Sequence, residues 1–265
     1  MFGVSGLGVI RWSESMKGLL TSALGRACHS RIGATCATTV VRITQYRIFS
    51  PRTTRMMEFD LMRLRARIHQ ERYIDRQIAD VEHLHFGCGN RQVPGWLNVD
   101  VAGSQCDVDL ASGHLPWADK QFAAIVAQHV IEHLELESEL LPLLAELHRV
   151  AKQGCEVWLS CPDLERVCDS YTADKGRGLI EDRLTRPHGD LGMDGIPSQH
   201  MINNVFQQSG EHRNLFDFEL LSWALVRSGF TDNRRVDESQ FLARFPEFPK
   251  RADDRYTLYV RSLAA

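Results

Sequence analysis

The stretch Leu84-His85-Phe86-Gly87-Cys88-Gly89-Asn90, with Asn98-Val99-Asp100 close behind, limits the fold more than any other part of this sequence. It reads as an apolar strand, a glycine turn and a second strand ending in an acid. Glycines let the backbone turn with positive φ and leave bare peptide where a ligand can approach. A carboxylate at the tip of the next strand is placed to accept hydrogen bonds from a ribose diol. The combination points to a nucleoside-containing cofactor at the carboxyl edge of a parallel sheet. The dinucleotide fingerprint needs a third Gly or Ala and an acid about 20 residues on. Here Gln92 holds the third position and Asp100 comes too early, and no G-x-x-x-x-G-K-[ST] phosphate loop is present.

Only ten residues separate Gly89 from Asp100. A parallel crossover that contains a helix takes about a dozen or more. The first crossover is therefore expected to be truncated, with Pro94-Gly95 as its turn and loop rather than helix beneath the pocket. Strands are expected at 83–87, 96–100, 106–108, 123–128 and 155–160, alternating with helical patterns, as in a parallel sheet covered on both faces. Ser138 to Lys152 reads as a helix capped by Ser138, with Pro142 in its first turn. Leu140, Leu143, Leu144 and Leu147 form its inward stripe, and Gly154 ends it. Asp217 is expected to cap a helix through Ser228, closed by Gly229. Val236 and Tyr256–Arg261 would finish the sheet as an antiparallel edge pair. Residues 170–213 break the alternation with Gly176, Gly178, Pro187, Gly189, Gly192, Gly195 and Pro197. They read as an irregular insertion carrying His188, His200 and His212 with Asp190 and Asp194, in the position of a lid with acceptor contacts.

Further motifs follow in order: Cys106-Asp107-Val108-Asp109-Leu110, Leu115-Pro116-Trp117, Phe122-Ala123-Ala124-Ile125-Val126, Glu132-His133-Leu134, Arg149-Val150-Ala151-Lys152-Gln153-Gly154 and Val157-Trp158-Leu159-Ser160. With the glycine turn, this order resembles the class I S-adenosylmethionine-dependent methyltransferases, the type 11 group in particular. The resemblance is good over residues 82–170 and weaker over 214–262. It implies a Rossmann-like, doubly wound α/β sheet with helices on both faces. That sheet would be mostly parallel, with an antiparallel C-terminal edge strand and a shortened first crossover. It also implies S-adenosyl-L-methionine as cofactor and methyl transfer to an O or N acceptor. By the same resemblance, the segment Phe86, Gly87, Cys88, Gly89 and Asn90 would hold the cofactor's amino-acid end. Asp100, with Val101 beside it, would take the ribose hydroxyls. Asp109 and the Leu110 amide would meet the adenine amino group. Gln128 and His129 would sit beside the sulfonium at the tip of the fourth strand. Phe122-Ala123 stands where the family has Phe-Asp, and residues 149–155 lack the family's Pro-Gly-Gly turn. A non-catalytic cofactor-binding protein of the same fold is the alternative that these departures leave.

Oxygen and nitrogen acceptors need a proton removed near neutral pH, a task suited to histidine. The catalytic candidates are His133, by family analogy, and His200 or His188 on the insertion. His129-Val130-Ile131-Glu132-His133 also spells H-x-x-E-H, the inverted zinc-peptidase motif, which requires both histidines on one helical face. Ile125-Val126-Ala127 reads as a strand running into the motif, so the zinc-hydrolase alternative using His129, Glu132 and His133 is set aside and no metal is expected.

The net charge of −3 conceals an asymmetry: residues 1–57 carry +7 and the remainder −10. An acidic body argues against a nucleic acid held through its phosphates and suits a small-molecule or saccharide acceptor. Residues 1–53 read as a basic, poorly ordered extension, with a surface helix, a targeting leader or a later start at Met56 or Met57 as alternatives. Weak contact with an anionic membrane surface is the most this basic end would support. Residues 54–81 read as an N-terminal helix and 82–265 as the methyltransferase-like domain. Seven cysteines without a C-x-x-C read as reduced thiols, hence a cytoplasmic protein. The sequence carries no readable signal of oligomeric state.

Overall fold

A computed structural model of the chain describes residues 50–70, 81–186 and 195–265. The chain divides into two compact units, residues 1–59 and 60–265. In the first, helix α1 (Pro51–Gln70) begins. Pro51 stands in its first position, and Ser50 Oγ accepts a hydrogen bond from Thr53 N at 3.1 Å. This start signal places the helix a few residues earlier than the expected 54. The expected continuation through residues 71–80, and the basic extension up to residue 49, lie outside the described residues.

The second unit is built on seven strands. They are β1 (His83–Phe86), β2 (Leu97–Asp100), β3 (Cys106–Asp107), β4 (Phe122–Gln128), β5 (Ala151–Pro162), β6 (Phe230–Val236) and β7 (Thr257–Ala264). The order across the sheet is β3-β2-β1-β4-β5-β7-β6. The first five strands are parallel, and β7 runs antiparallel to both β5 and β6. This is a Rossmann-like α/β sheet with an antiparallel end, as expected. Its strand order reverses between β1 and β4, and ligands in such sheets bind outside the carboxyl ends of the strands at that point.

Strand alternation sorts side chains onto two faces. Phe86, Ile125, Val157, Leu159 and Val260 fill the larger core with α2 (Leu141–Val150) and α6 (Phe218–Arg227). Ala124, Val126, Trp158 and Tyr259 face the other way, into an aromatic cluster.

No helix joins β1 to β2, so that second face needs another cover and the loop needs other hydrogen-bond partners. The buried Asn98 side chain supplies the partners. Its Nδ2 donates to Val93 O (2.9 Å) and Trp96 O (3.0 Å), and its Oδ1 accepts from Val93 N (2.8 Å) and His85 Nδ1 (3.2 Å). Burial lowers the His85 pKa to about 4, against the opposing pull of the Asn98 bond, so this ring is neutral at physiological pH. The cover comes from α7 (Glu238–Arg244) and the loop after it. Trp96 meets Phe245 and Phe248 edge-on, with ring centroids 5.2 and 4.9 Å apart. Such pairs add about 0.5–1.5 kcal/mol each beyond the area they bury.

Two expected elements differ. The helix expected over 138–152 is shorter, because Pro142 lacks an N–H and is tolerated only in a first turn. The α-helix therefore starts at Leu141, behind a single π-turn over Leu136–Leu140 that contains Ser138, and β5 begins directly at Ala151. Gly154 lies inside β5 with φ +75° and does not end the helix. Among the described residues the insertion is helical rather than irregular, taking in the end of α3 (Leu164–Asp174), then α4 (Arg177–Leu184) and α5 (Gln199–Gln207). Its glycine density marks links between short helices: Gly176, at φ +85°, joins α3 to α4. His188, Asp190 and Asp194 lie outside the described residues. No helix among the described residues is long and apolar enough to cross a membrane.

Candidate active site

Both halves of the glycine turn have defined surroundings. Gly87 has φ +65°, and a Cβ there would stand 2.0 Å from Val130 Cγ2, so glycine is the residue this close approach admits. Gly89 has φ +52° with nothing within 4 Å of a built Cβ, leaving bare backbone open. The Cys88 side chain is buried, and burial pushes its thiol up to about 11, so this residue offers the site only main chain. Asn90 and Val101 flank the turn and the β2 tip.

Asp100 ties these pieces together. Its Oδ2 accepts from Gly89 N at 2.8 Å and its Oδ1 from Val101 N at 2.6 Å. The turn and the acid therefore lie within one nucleoside's reach of each other. Each oxygen has used one lone pair and keeps another for a ribose hydroxyl. Open backbone beside an acceptor-rich carboxylate fits the amino-acid and ribose parts of S-adenosylmethionine.

The adenine end requires a correction. Asp109 is 1% exposed, caps the short 3-10 turn Leu110–Ser112, and receives Arg63 Nε at 3.0 Å and Arg67 Nε on its other oxygen. Two guanidiniums from the second half of α1 occupy the carboxylate expected to meet adenine. Charge-assisted bonds to arginine outcompete a neutral amino group, so Asp109 here holds α1. Leu110 is buried at the start of the 3-10 turn.

At the tip of β4, Gln128 is buried and its Nε2 has no partner among the described residues. His129 adopts φ +57°, a region that non-glycine residues rarely enter and that clusters at functional sites. Its Nδ1 lies 3.2 Å from Glu132 Oε1 and its Nε2 lies 2.9 Å from Asp253 Oδ2. With carboxylates on both nitrogens, the ring donates twice. Burial pulls its pKa down, but the bonds to Asp253 and Glu132 outweigh this and raise it. Burial favours the neutral form of both acids, yet their partners hold both below the ordinary carboxylate range. Asp253 also accepts from Tyr259 OH (2.7 Å) and Arg251 Nε (2.9 Å). Sequence reasoning missed Asp253, Arg251 and Tyr259. The H-x-x-E-H helix does not form, since Ile131–His133 is a 3-10 turn and both His129 nitrogens are engaged.

Beside His129 lies a cavity of about 10 Å³, room for a single water. Pro162 at the end of β5 and Val167 on α3 line it together with Leu179, Arg183 and Arg186 from the insertion. The Nε atoms of both arginines are buried with no partner among the described residues. Arg186 pairs with Asp182, whereas Arg183 has no ion pair among the described residues. His133 is half-buried, with Nδ1 3.3 Å from Glu211 O. His200 is exposed on α5 and does not line the cavity.

Residues 60–159 match the family model for a methyltransferase domain. That segment, from the second half of α1 through most of β5, is similar to the methyltransferase domains of this family. The chain is accordingly a methyltransferase that uses S-adenosylmethionine. No curated protein matches the methyltransferase chain in sequence. Among solved structures it is similar to an S-adenosylmethionine-dependent methyltransferase from Mesorhizobium loti, with 14% identity, 75% of this chain and 97% of that chain covered, and a TM-score of 0.36. It is also similar to a possible histamine N-methyltransferase from Thermotoga maritima (12%, 80% and 96%, TM-score 0.41). A third is phosphoethanolamine N-methyltransferase 2 from Haemonchus contortus, solved with phosphomonomethylethanolamine and S-adenosylhomocysteine (13%, 74% and 51%, TM-score 0.39).

Proposed function

We propose that this methyltransferase methylates an oxygen or nitrogen of a small molecule or saccharide that carries a carboxylate or phosphate. When bound, S-adenosylmethionine supplies a methyl group already activated on a sulfonium. The chain's task is then to hold the acceptor in line and keep water away. Gly89 and Asp100 are the residues that would hold the cofactor, at the reversal of strand order. The acceptor side is assigned to the β4 and β5 tips, beneath α3 and α4.

The observation that carries the acceptor's charge is the pair of buried guanidinium Nε atoms on Arg183 and Arg186 beside His129, without a partner among the described residues. Arginine suits carboxylate and phosphate because its donors form a planar fork. The cavity takes one water as it stands, so acceptor entry would widen it by moving α4 outward.

Initial rates of S-adenosylhomocysteine release, across matched acid, phosphate, neutral and amine acceptors, test this reading. Anionic acceptors should turn over best, and Arg183→Gln should raise their KM by about 10-fold or more, the value of one charge-assisted hydrogen bond. Preference for neutral or cationic acceptors, with KM indifferent to Arg183→Gln, would contradict it.

A further inference from the structure

We propose that Glu132, His133 and His212 form a binding site for a divalent transition ion of the zinc class, clamping the end of the insertion to the exit of β4. A donor atom from each of the three residues lies within 4.8 Å of the other two. Glu132 is 1% exposed. Its Oε1 serves His129, while its Oε2 is buried with no partner among the described residues. His212 Nε2 is likewise buried and unpartnered there. An ionised carboxylate oxygen and a ring nitrogen left bare in the interior are costly unless something is bound between them.

The histidines are oriented as ligands are. His212 Nδ1 donates to the Val205 carbonyl and His133 Nδ1 to the Glu211 carbonyl. A carbonyl only accepts, so each Nδ1 carries hydrogen and each neutral ring presents its lone pair at Nε2. Metal-ligating histidines are held in this way, by a second bond from the other nitrogen to a carbonyl or carboxylate. The two rings meet edge-on, with centroids 5.0 Å apart.

The backbone brings these groups together in advance. Arg213 N and Asn214 N both donate to Glu132 O, at 2.8 and 3.1 Å, and Asn214 Nδ2 donates to Leu134 O. The chain carrying His212 is thereby zipped along the chain carrying Glu132 and His133. Zinc–nitrogen bonds of about 2.0–2.1 Å place tetrahedral ligands about 3.4 Å apart, so closing on the ion needs each side chain to move by less than about 1 Å. Two histidines and one glutamate match the ligand set of open zinc sites and leave a fourth position for water. The site differs from the H-x-x-E-H arrangement, because His129 is not a ligand and His212 comes from the insertion. It also makes His133 a ligand in place of the proton-acceptor role expected from the sequence.

The test uses the untagged full-length chain, stripped with chelator and titrated with CoCl2 under visible absorption, then with ZnCl2 as competitor. The wild type should bind one Co2+ per chain with the absorption of a tetrahedral site and lose it to zinc. His212→Ala and Glu132→Gln should each weaken Co2+ binding by more than about 10-fold. Calorimetric binding of S-adenosylhomocysteine, measured in parallel, reports whether each variant is folded, and His212→Ala decides if Glu132→Gln is not. A wild type that binds S-adenosylhomocysteine but no Co2+, or a folded His212→Ala that binds Co2+ as tightly as wild type, overturns the proposal and leaves the methyltransferase assignment standing. Failure to bind S-adenosylhomocysteine in the wild type would strike at that assignment instead.

Discussion

Replacing Asp100 with alanine is expected to weaken S-adenosylhomocysteine binding by at least about 100-fold, or roughly 2.7 kcal/mol. The carboxylate holds the Gly89 and Val101 amides and retains a lone pair on each oxygen for a ribose hydroxyl. A hydrogen bond to a charged group is worth about 1.5–3 kcal/mol. The alanine variant loses two such bonds to ligand and one strut of the turn. Asp100→Asn should fall between wild type and Asp100→Ala, since its single acceptor oxygen cannot serve both backbone amides and the ribose as well. Calorimetry measures both variants, and thermal melting should change little, because Asp100 and Gly89 stand at an open edge. Unchanged affinity in Asp100→Ala would mean that the ribose does not reach this residue.

Asp253→Ala is the second large effect, expected to cost about 3–5 kcal/mol of stability and to lower Tm by roughly 10 °C. The substitution leaves the His129 imidazolium, the Arg251 guanidinium and the Tyr259 hydroxyl without their common acceptor in a buried place. Tyr259→Phe removes only one hydrogen bond and should cost about 1 kcal/mol. The loss also depends on pH. The His129 pKa is raised in the fold, so its contribution is complete below the ordinary value of 6.5 and disappears as pH rises through the folded value. Asp253 and Glu132 are depressed, so theirs is complete above 3.8 and 4.5 and disappears as pH falls through the folded values. The stability gap between wild type and Asp253→Ala should thus be widest between pH 4.5 and 6.5 and narrow on either side. Denaturant melts across and beyond this range measure it, and a gap that keeps growing as pH rises above 6.5 would contradict the charged state assigned to His129.

What could be read from the sequence followed how locally each feature is encoded. The glycine turn, the acid at the β2 tip and the missing crossover helix depend on neighbouring residues and a count of ten positions. All three appear in the fold. The cap of α6 by Asp217 is equally local. The sequence extends the helix over 138–152 because Ser138 looks like a cap, while Pro142 sets the actual start of the α-helix. The insertion reads as irregular because its glycines and prolines obscure the short apolar repeats between them, such as Met201 and Val205 on α5.

The remainder depends on partners far apart in the chain. Asp109 looked free for adenine, and nothing near it announces guanidiniums 42 and 46 positions upstream. His129 and Asp253 are separated by 124 positions. Only the order β4-β5-β7, which brings the start of β7 beside the tip of β4, makes them neighbours. In the sequence His212 is one of three histidines on the insertion. Its alignment with Glu132 depends on backbone bonds from 213 and 214 that no sequence pattern predicts.

A crystal structure of the full chain with S-adenosylhomocysteine tests the central claim most directly. Ribose oxygens within hydrogen-bonding distance of Asp100, with the amino-acid portion lying along the Gly89 main chain, are the predicted result. A ligand seated elsewhere on the sheet edge, with Asp100 still bonded only to Gly89 and Val101, would contradict it.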